Sequence, residues 1–255
     1  MNDVLGSEWL KVRTVRSTYY LVGASVLALV VGGVVSFLMT ADWDSTAPAE
    51  RASFGAADAS VLSIPVTEFC LGVLAALAIA GEYTTGMIRT SLTAVPQRLR
   101  FFAAKSAVVA ALALVVGLVI AALSAMVTAL VVGDRPAPIA PWPSLGEAVP
   151  PVLAGGLSIM VVALVAVGVG AAVRSSAGAL VTVTLVLFVL PVVALLLPGP
   201  WNARAYAVML PNLAEQLAGD VTDPVLSPLG AAIAMVVWAA TALGAGAYTL
   251  ARRDA

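Results

Sequence analysis

The residues that could do chemistry here are few, and most of them crowd into one stretch. Residues 81–105 read "GEYTTGMIRTSLTAVPQRLRFFAAK" and hold Glu82, Arg89, Arg98, Arg100 and Lys105, in a chain that is only 11% charged. Such side chains can form charge-assisted hydrogen bonds to a protein partner, or hold anionic lipid headgroups at about 1 kcal/mol each. Catalysis is harder to assemble. The sequence has no His, which excludes His-based triads, HExxH zinc sites and His proton relays. Its one cysteine, Cys70, lies in an apolar run; one thiol makes no internal disulfide and no Cys-rich metal site, and it reads as a small buried hydrophobe. A phosphate-binding GxxxxGK[ST] loop needs a Gly before its Lys, but the two lysines, Lys11 and Lys105, follow Leu and Ala. No catalytic, cofactor or metal site is expected, and any ATP must be hydrolysed by a partner.

The elements that position these residues follow from composition. At 61% hydrophobic, the chain departs from the roughly 45–50% apolar and ~25% charged composition of soluble domains. A net charge of −1 with no dense basic stripe leaves no footprint for nucleic acid. Apolar runs long enough for ~30 Å of hydrocarbon occur near 19–39, 61–81, 106–132, 152–173, 177–197 and 229–250. The expectation is an all-α integral membrane protein with six transmembrane helices in a single membrane domain, 1–255, since no linker or charge block marks a second. The first run exceeds the 7–15 residues of a cleavable signal and no A-x-A site follows it, so it is expected to stay attached.

Six spans put both ends of the chain on one side, and the positive-inside bias says which. One face collects Lys11, Arg13, Arg16, Arg89, Arg98, Arg100, Lys105, Arg174, Arg252 and Arg253. The other holds Arg51, Arg135 and Arg204, together with Asp42, Asp44, Glu50, Asp58, Asp134, Glu147, Glu215, Asp220 and Asp223. The basic face is expected to be cytoplasmic. On that face "LGSEWLKVRTVRSTYY" carries Leu5, Trp9, Val12 and Val15 on one arc, which predicts an interfacial helix leading into the first span. On the opposite face "WNARAYAVMLPNLAEQLAG" mixes apolar and polar residues at helical spacing; a helix lying in or dipping into the outer interface and a plain surface loop both remain open. Pro191 is expected to kink the fifth span near its outer end. Small pairs such as Ala166/Gly170 and Ala240/Gly244, and Gly168–Gly170 and Gly244–Gly246, allow close helix approach, but they are too frequent in this chain to name an interface.

The stretch at 81–105 closely resembles the segment after the second span in bacterial ABC type-2 transporter permeases, especially those of actinobacteria. So do "SEWLKVRTVRSTYYL" before the first span, "GVGAAVRSSAGAL" between the fourth and fifth, and the long last outer loop. The resemblance covers essentially the whole chain, and "GEYTTGMIRT" is its most specific part. It implies the membrane subunit of an ABC exporter in the bacterial cytoplasmic membrane. Such a subunit pairs with a second permease copy, the same chain or a paralogue, and each copy docks a separate ABC ATPase subunit. Members export drugs, antibiotics, peptides, lipids or polysaccharides, so the cargo stays open. A soluble ATPase needs a structured polar handle, so we expect a coupling helix at about 85–95, with Thr84 and Thr85 capping its start and Pro96 ending it. Glu82, Arg89, Arg98 and Arg100 would then contact the ATPase. Two other classes are weighed: an ATPase-independent transporter or channel, which needs ionisable groups near the midplane, and a non-transporting immunity or assembly protein.

Glu68 is the one acid inside an apolar span, and so the candidate substrate-cavity residue. If that span ends at Gly81, 13 residues place Glu68 about 20 Å from its inner end. With a helix start at Pro65, a good first-turn residue, Glu68 would merely complement the helix dipole. With a start near Asp58, it would face a cavity between two subunits and contact a cationic or polar cargo. We take the first as the expectation.

Overall fold

The computed structural model describes residues 2–95, 97–219, 221 and 224–252, so Pro96, Asp220, Asp223 and Arg253 lie outside the described residues. The described residues contain no strand. The helices are α1 (Asn2–Thr14), α2 (Arg16–Ser45), α3 (Ser60–Thr84), α4 (Met87–Ala94), α5 (Arg98–Val132), α6 (Val149–Val173), α7 (Ser176–Thr184), α8 (Leu190–Leu195), α9 (Trp201–Ala207), α10 (Leu213–Ala218) and α11 (Pro228–Arg252). Six helical stretches are long and apolar enough to cross a membrane: α2, α3, α5, α6, Ser176–Leu195 and α11. They match the six runs read from the sequence. Large side chains such as Leu27, Val30, Phe37, Leu38 and Leu130 lie exposed on them, as lipid-facing positions must in a protein whose outer solvent is hydrocarbon.

α6 forms the centre, packed against α3, α5 and α11. Its sequence explains the position, since "AGGLSIMVVALVAVGVGAA" presents only small or β-branched side chains over most of its length. Without a hydrophobic drive between helices in lipid, close backbone approach supplies the packing energy. A Cβ on Gly168 would stand 2.2 Å from the Ala242 carbonyl oxygen of α11, and one on Gly246 would stand 2.8 Å from the Gly168 oxygen. The Gly168 and Gly246 regions singled out in the sequence therefore join α6 to α11 within one chain.

The first contacts inside the second span differ from the expected start at Pro65. α3 begins at Ser60 and carries Pro65 inside it. Asp58 accepts hydrogen bonds from the Ser60 backbone N–H at 2.8 Å and its hydroxyl at 2.6 Å, while Thr128 of α5 accepts from the Ala59 N–H. These bonds satisfy groups that a helix start leaves unpaired, which a start at Pro65 would not do. Glu68 consequently lies two turns into α3, beyond the first-turn reach of the dipole.

Two further segments depart from simple rods. The fifth span changes to a π-turn over Leu185–Val189, where the Leu190 N–H reaches back to the Leu185 oxygen, before α8 begins. Pro191 supplies the reason: it has no N–H to offer the carbonyl one turn behind, and the ladder shifts in the turn before it. The segment after that span is helical, not a plain loop. α9, a short 3₁₀ turn and α10 follow one another, with Leu210 and Leu213 buried against a cluster that includes Val161 and Val165 of α6 and Met235 of α11. Gln216 fastens the fold by donating to the Ala207 oxygen at 2.6 Å and accepting from the Leu226 N–H.

Candidate coupling site

The basic end of the bundle is built around a reversal of the chain. α3 runs out at Thr84, and Gly86 adopts φ +73° before α4 starts at Met87. Only a residue without a Cβ enters this left-handed region freely, so the glycine of "TTGM" sets the angle at which α4 leaves. Thr84 and Thr85 do not cap α4, as the sequence suggested. Their hydroxyls donate back to the Ala80 and Gly81 oxygens in the last turn of α3, the Gly81 oxygen also taking the Thr85 backbone N–H. Thr84 also meets the Ser176 hydroxyl at the start of α7, 3.1 Å away. The short helix at Met87–Ala94 lies within the stretch expected at 85–95.

α4 has two faces. Ile88 is buried in the main core beside Phe101 and Leu250, and Ser91, three residues on, turns the same way. Met87, Arg89, Thr90 and Thr93 are exposed. α5 then starts at Arg98 and runs for 35 residues, about 52 Å, which exceeds ~30 Å of hydrocarbon. Leu99 and Arg100 are exposed in its first turn.

Beneath α4 lies a buried charge cluster. Lys105 is 2% exposed, Glu8 2% and Glu82 6%. The Lys105 ammonium donates to Glu8 Oε2 at 2.5 Å and to Glu82 Oε1 at 2.8 Å. Lys11 donates to Glu8 Oε1 at 2.7 Å, Glu82 Oε1 at 2.9 Å and the Ser91 hydroxyl at 3.1 Å. Ser91 in turn donates to Glu82 Oε2 at 3.3 Å. Two ammoniums balance two carboxylates, and the Phe101 ring lies 5.5 Å from Lys11 Nζ and 5.2 Å from Lys105 Nζ. Charges can be removed from water in this way only when paired and fully hydrogen-bonded. Partial burial acts to lower the Lys11 pKa, but the Glu8 and Glu82 carboxylates outweigh it and hold the ammonium above its ordinary value. One small cluster thus joins α1, α3, α4 and α5.

This geometry revises the expected roles residue by residue. Glu82 turns inward, with both oxygens engaged, because Lys105 stands 2.8 Å away on α5. Arg98 is half-buried and donates to the Leu250 oxygen at 3.0 Å, while Arg174 donates to the Thr249 oxygen at 2.7 Å. A helix C-terminus leaves carbonyls unpaired and attracts cations, so these two arginines clamp the end of α11. Arg174 also stacks 5.1 Å over the Tyr83 ring. Arg89 and Arg100 are exposed. Glu8 escaped sequence reasoning altogether; the available signal was its position three residues before Lys11, one turn along the same helix. The expected arc of α1 also divides: Leu5 and Val12 pack on Leu74 and Val108, whereas Trp9 is 48% exposed and points away.

Glu68 lies far from this cluster, on the same helix. It is 3% exposed, accepts a 2.5 Å hydrogen bond from Ser158 of α6, and lines a cavity of about 510 Å³ within this one chain. Asp58, Glu215 and Trp142 share its wall. Among the described residues, no three His, Cys, Asp or Glu side chains gather as metal ligands.

Six apolar spans, with a polar reversal between the second and third, make a multi-pass membrane protein. Residues 4–197 match the family model of the ABC-2 family transporter proteins. The chain belongs to that family, and it is a permease component of an ABC transporter. Permeases of this family generally work with an ABC ATPase subunit. No curated protein matches the sequence closely enough to serve as a relative.

Proposed function

We propose that this chain is the membrane subunit of an ATP-driven exporter in a bacterial cytoplasmic membrane. The basic end faces the cytoplasm, a separate ATPase docks on α4, and a second permease copy completes the transporter. The observation that carries this reading is the division of α4 into two faces. Its outer face presents Met87, Arg89, Thr90 and Thr93 to solvent, while its inner face is fixed by Ile88 in the core and by Ser91 in the charge cluster. A helix held at both ends and along one face moves as a body with α1, α3 and α5. ATP-driven closure of a docked ATPase would therefore tilt spans, where a floppy loop would absorb the movement. Arg89 and Arg100 supply polar contacts around exposed Met87 and Leu99. Glu82 holds the handle from within through Ser91, while Thr84, Thr85 and Arg98 fasten the helix ends around it.

The test is the double charge reversal Arg89→Glu with Arg100→Glu. A single surface contact is weak, but a cluster in an interface carries much of the binding energy. The variant should insert and purify normally, yet lose co-purification of its ATPase and lose transport. Unchanged co-purification and transport would reduce these arginines to topology markers.

A further inference from the structure

We propose that the cavity around Glu68 is a binding site for organic cations, with Glu68 as its buried charge. The inference names a cargo class and rests on the transport reading for its purpose. The cavity's size, about 510 Å³, falls in the ~300–1,000 Å³ range of small-molecule sites. Among the described residues its wall carries three acids, Asp58, Glu68 and Glu215, and no Lys or Arg. Asp58 is committed to Ser60 and Thr128, whereas Glu215 is exposed at the rim. Glu68 makes its hydrogen bond to Ser158 with Oε1, and no ion pair to it is present among the described residues. A carboxyl group buried in a bundle either keeps its proton or takes a positive partner, and this one borders a space large enough to hold such a partner.

The shape of the site separates an organic cation from a metal ion. No three of its acids gather as ligands would, so the negative charge is spread along the cavity from α3 to α10. An extended cation with an apolar body fits that spread. Trp142 and Pro65 provide the apolar wall, and an indole face also attracts cations directly. Glu68 lies eight residues from the start of α3, about 12 Å along the helix. The ligand would therefore sit in the half of the bundle remote from α4.

The probe is tetraphenylphosphonium, titrated onto the purified chain in lipid nanodiscs with binding to empty nanodiscs subtracted. Tetraphenylborate, equal in shape and opposite in charge, is the control. Expected are saturable binding of the phosphonium over the borate and a loss of about tenfold in affinity in Glu68→Gln, the scale of one charge-assisted contact. Glu68→Asp keeps the carboxylate and should retain most of the affinity. Glu215→Gln, an exposed change that does not disturb packing, should weaken binding about twofold to threefold. Absence of saturable binding, equal binding of both ions, unchanged affinity in Glu68→Gln and Glu215→Gln, or equal loss in Glu68→Gln and Glu68→Asp would each overturn the proposal. No ATPase takes part in the titration, so its outcome is independent of the docking test.

Discussion

Replacing Lys105 by Met should cripple the protein, and a second substitution should partly restore it. Lys105 is 2% exposed and touches both Glu8 and Glu82. Without it, Lys11 alone faces two buried carboxylates, and the cluster carries a net charge of −1. Removing one partner of a buried pair costs about 3–5 kcal/mol, because the remaining charge is left uncompensated in a poor solvent for it. Adding Glu8→Gln returns the cluster to neutrality, with Lys11 and Glu82 still paired at 2.9 Å. What then remains is a buried amide short of a partner, roughly 1–3 kcal/mol. The double variant should therefore be more stable than Lys105→Met by about 1 kcal/mol or more. Unfolding in mixed detergent and SDS micelles, followed by tryptophan fluorescence, measures the difference. A Lys105→Met chain as stable as the parent, or a double variant no better than the single, would refute the claim that charge balance holds α1, α3 and α5 together.

Single cysteines in a Cys70→Ser background should divide by face: Ser45 and Ser144 should react with an impermeant thiol reagent in intact cells, and Thr14, Gln97 and Ser175 only after permeabilisation. Reaction of Gln97 from outside would reverse the assignment of α4 to the cytoplasm. Gly168→Val should push α11 from α6, since its first added carbon already meets Ala242 at 2.2 Å. Overpacking of this kind costs about 1–3 kcal/mol, readable as a lower unfolding midpoint, and a variant of parental stability would show that the two backbones are not held so close.

How much of this was legible in the sequence depended on how local the cause was. The six spans needed only apolar length, which a bilayer reads directly, whereas the expectation of α4 came from the family resemblance, and the threonines assigned to its cap turn back on α3 instead. For Glu8 the spacing to Lys11 offered only a local hint, because its burial comes from Lys105, 97 positions away. Glu82 looked like a surface acid for the same reason. Arg98 was misplaced because its partner, the end of α11, lies 152 positions along the chain. The start of α3 turned on Asp58 and Thr128 together: the cap was visible locally, its support from α5 was not. Pro191 marked the right place in the fifth span, although the π-turn forms in the residues before it.

Photo-crosslinking from α4 tests the role of this helix most directly. With benzoylphenylalanine at exposed Thr90 or Thr93, and at Ser144 as the remote control, the assembled transporter is irradiated in membranes and probed for the ATPase subunit. Docking on α4 predicts crosslinks from Thr90 and Thr93 and none from Ser144. An ATPase that co-purifies with the chain yet crosslinks from neither α4 position would place its dock elsewhere.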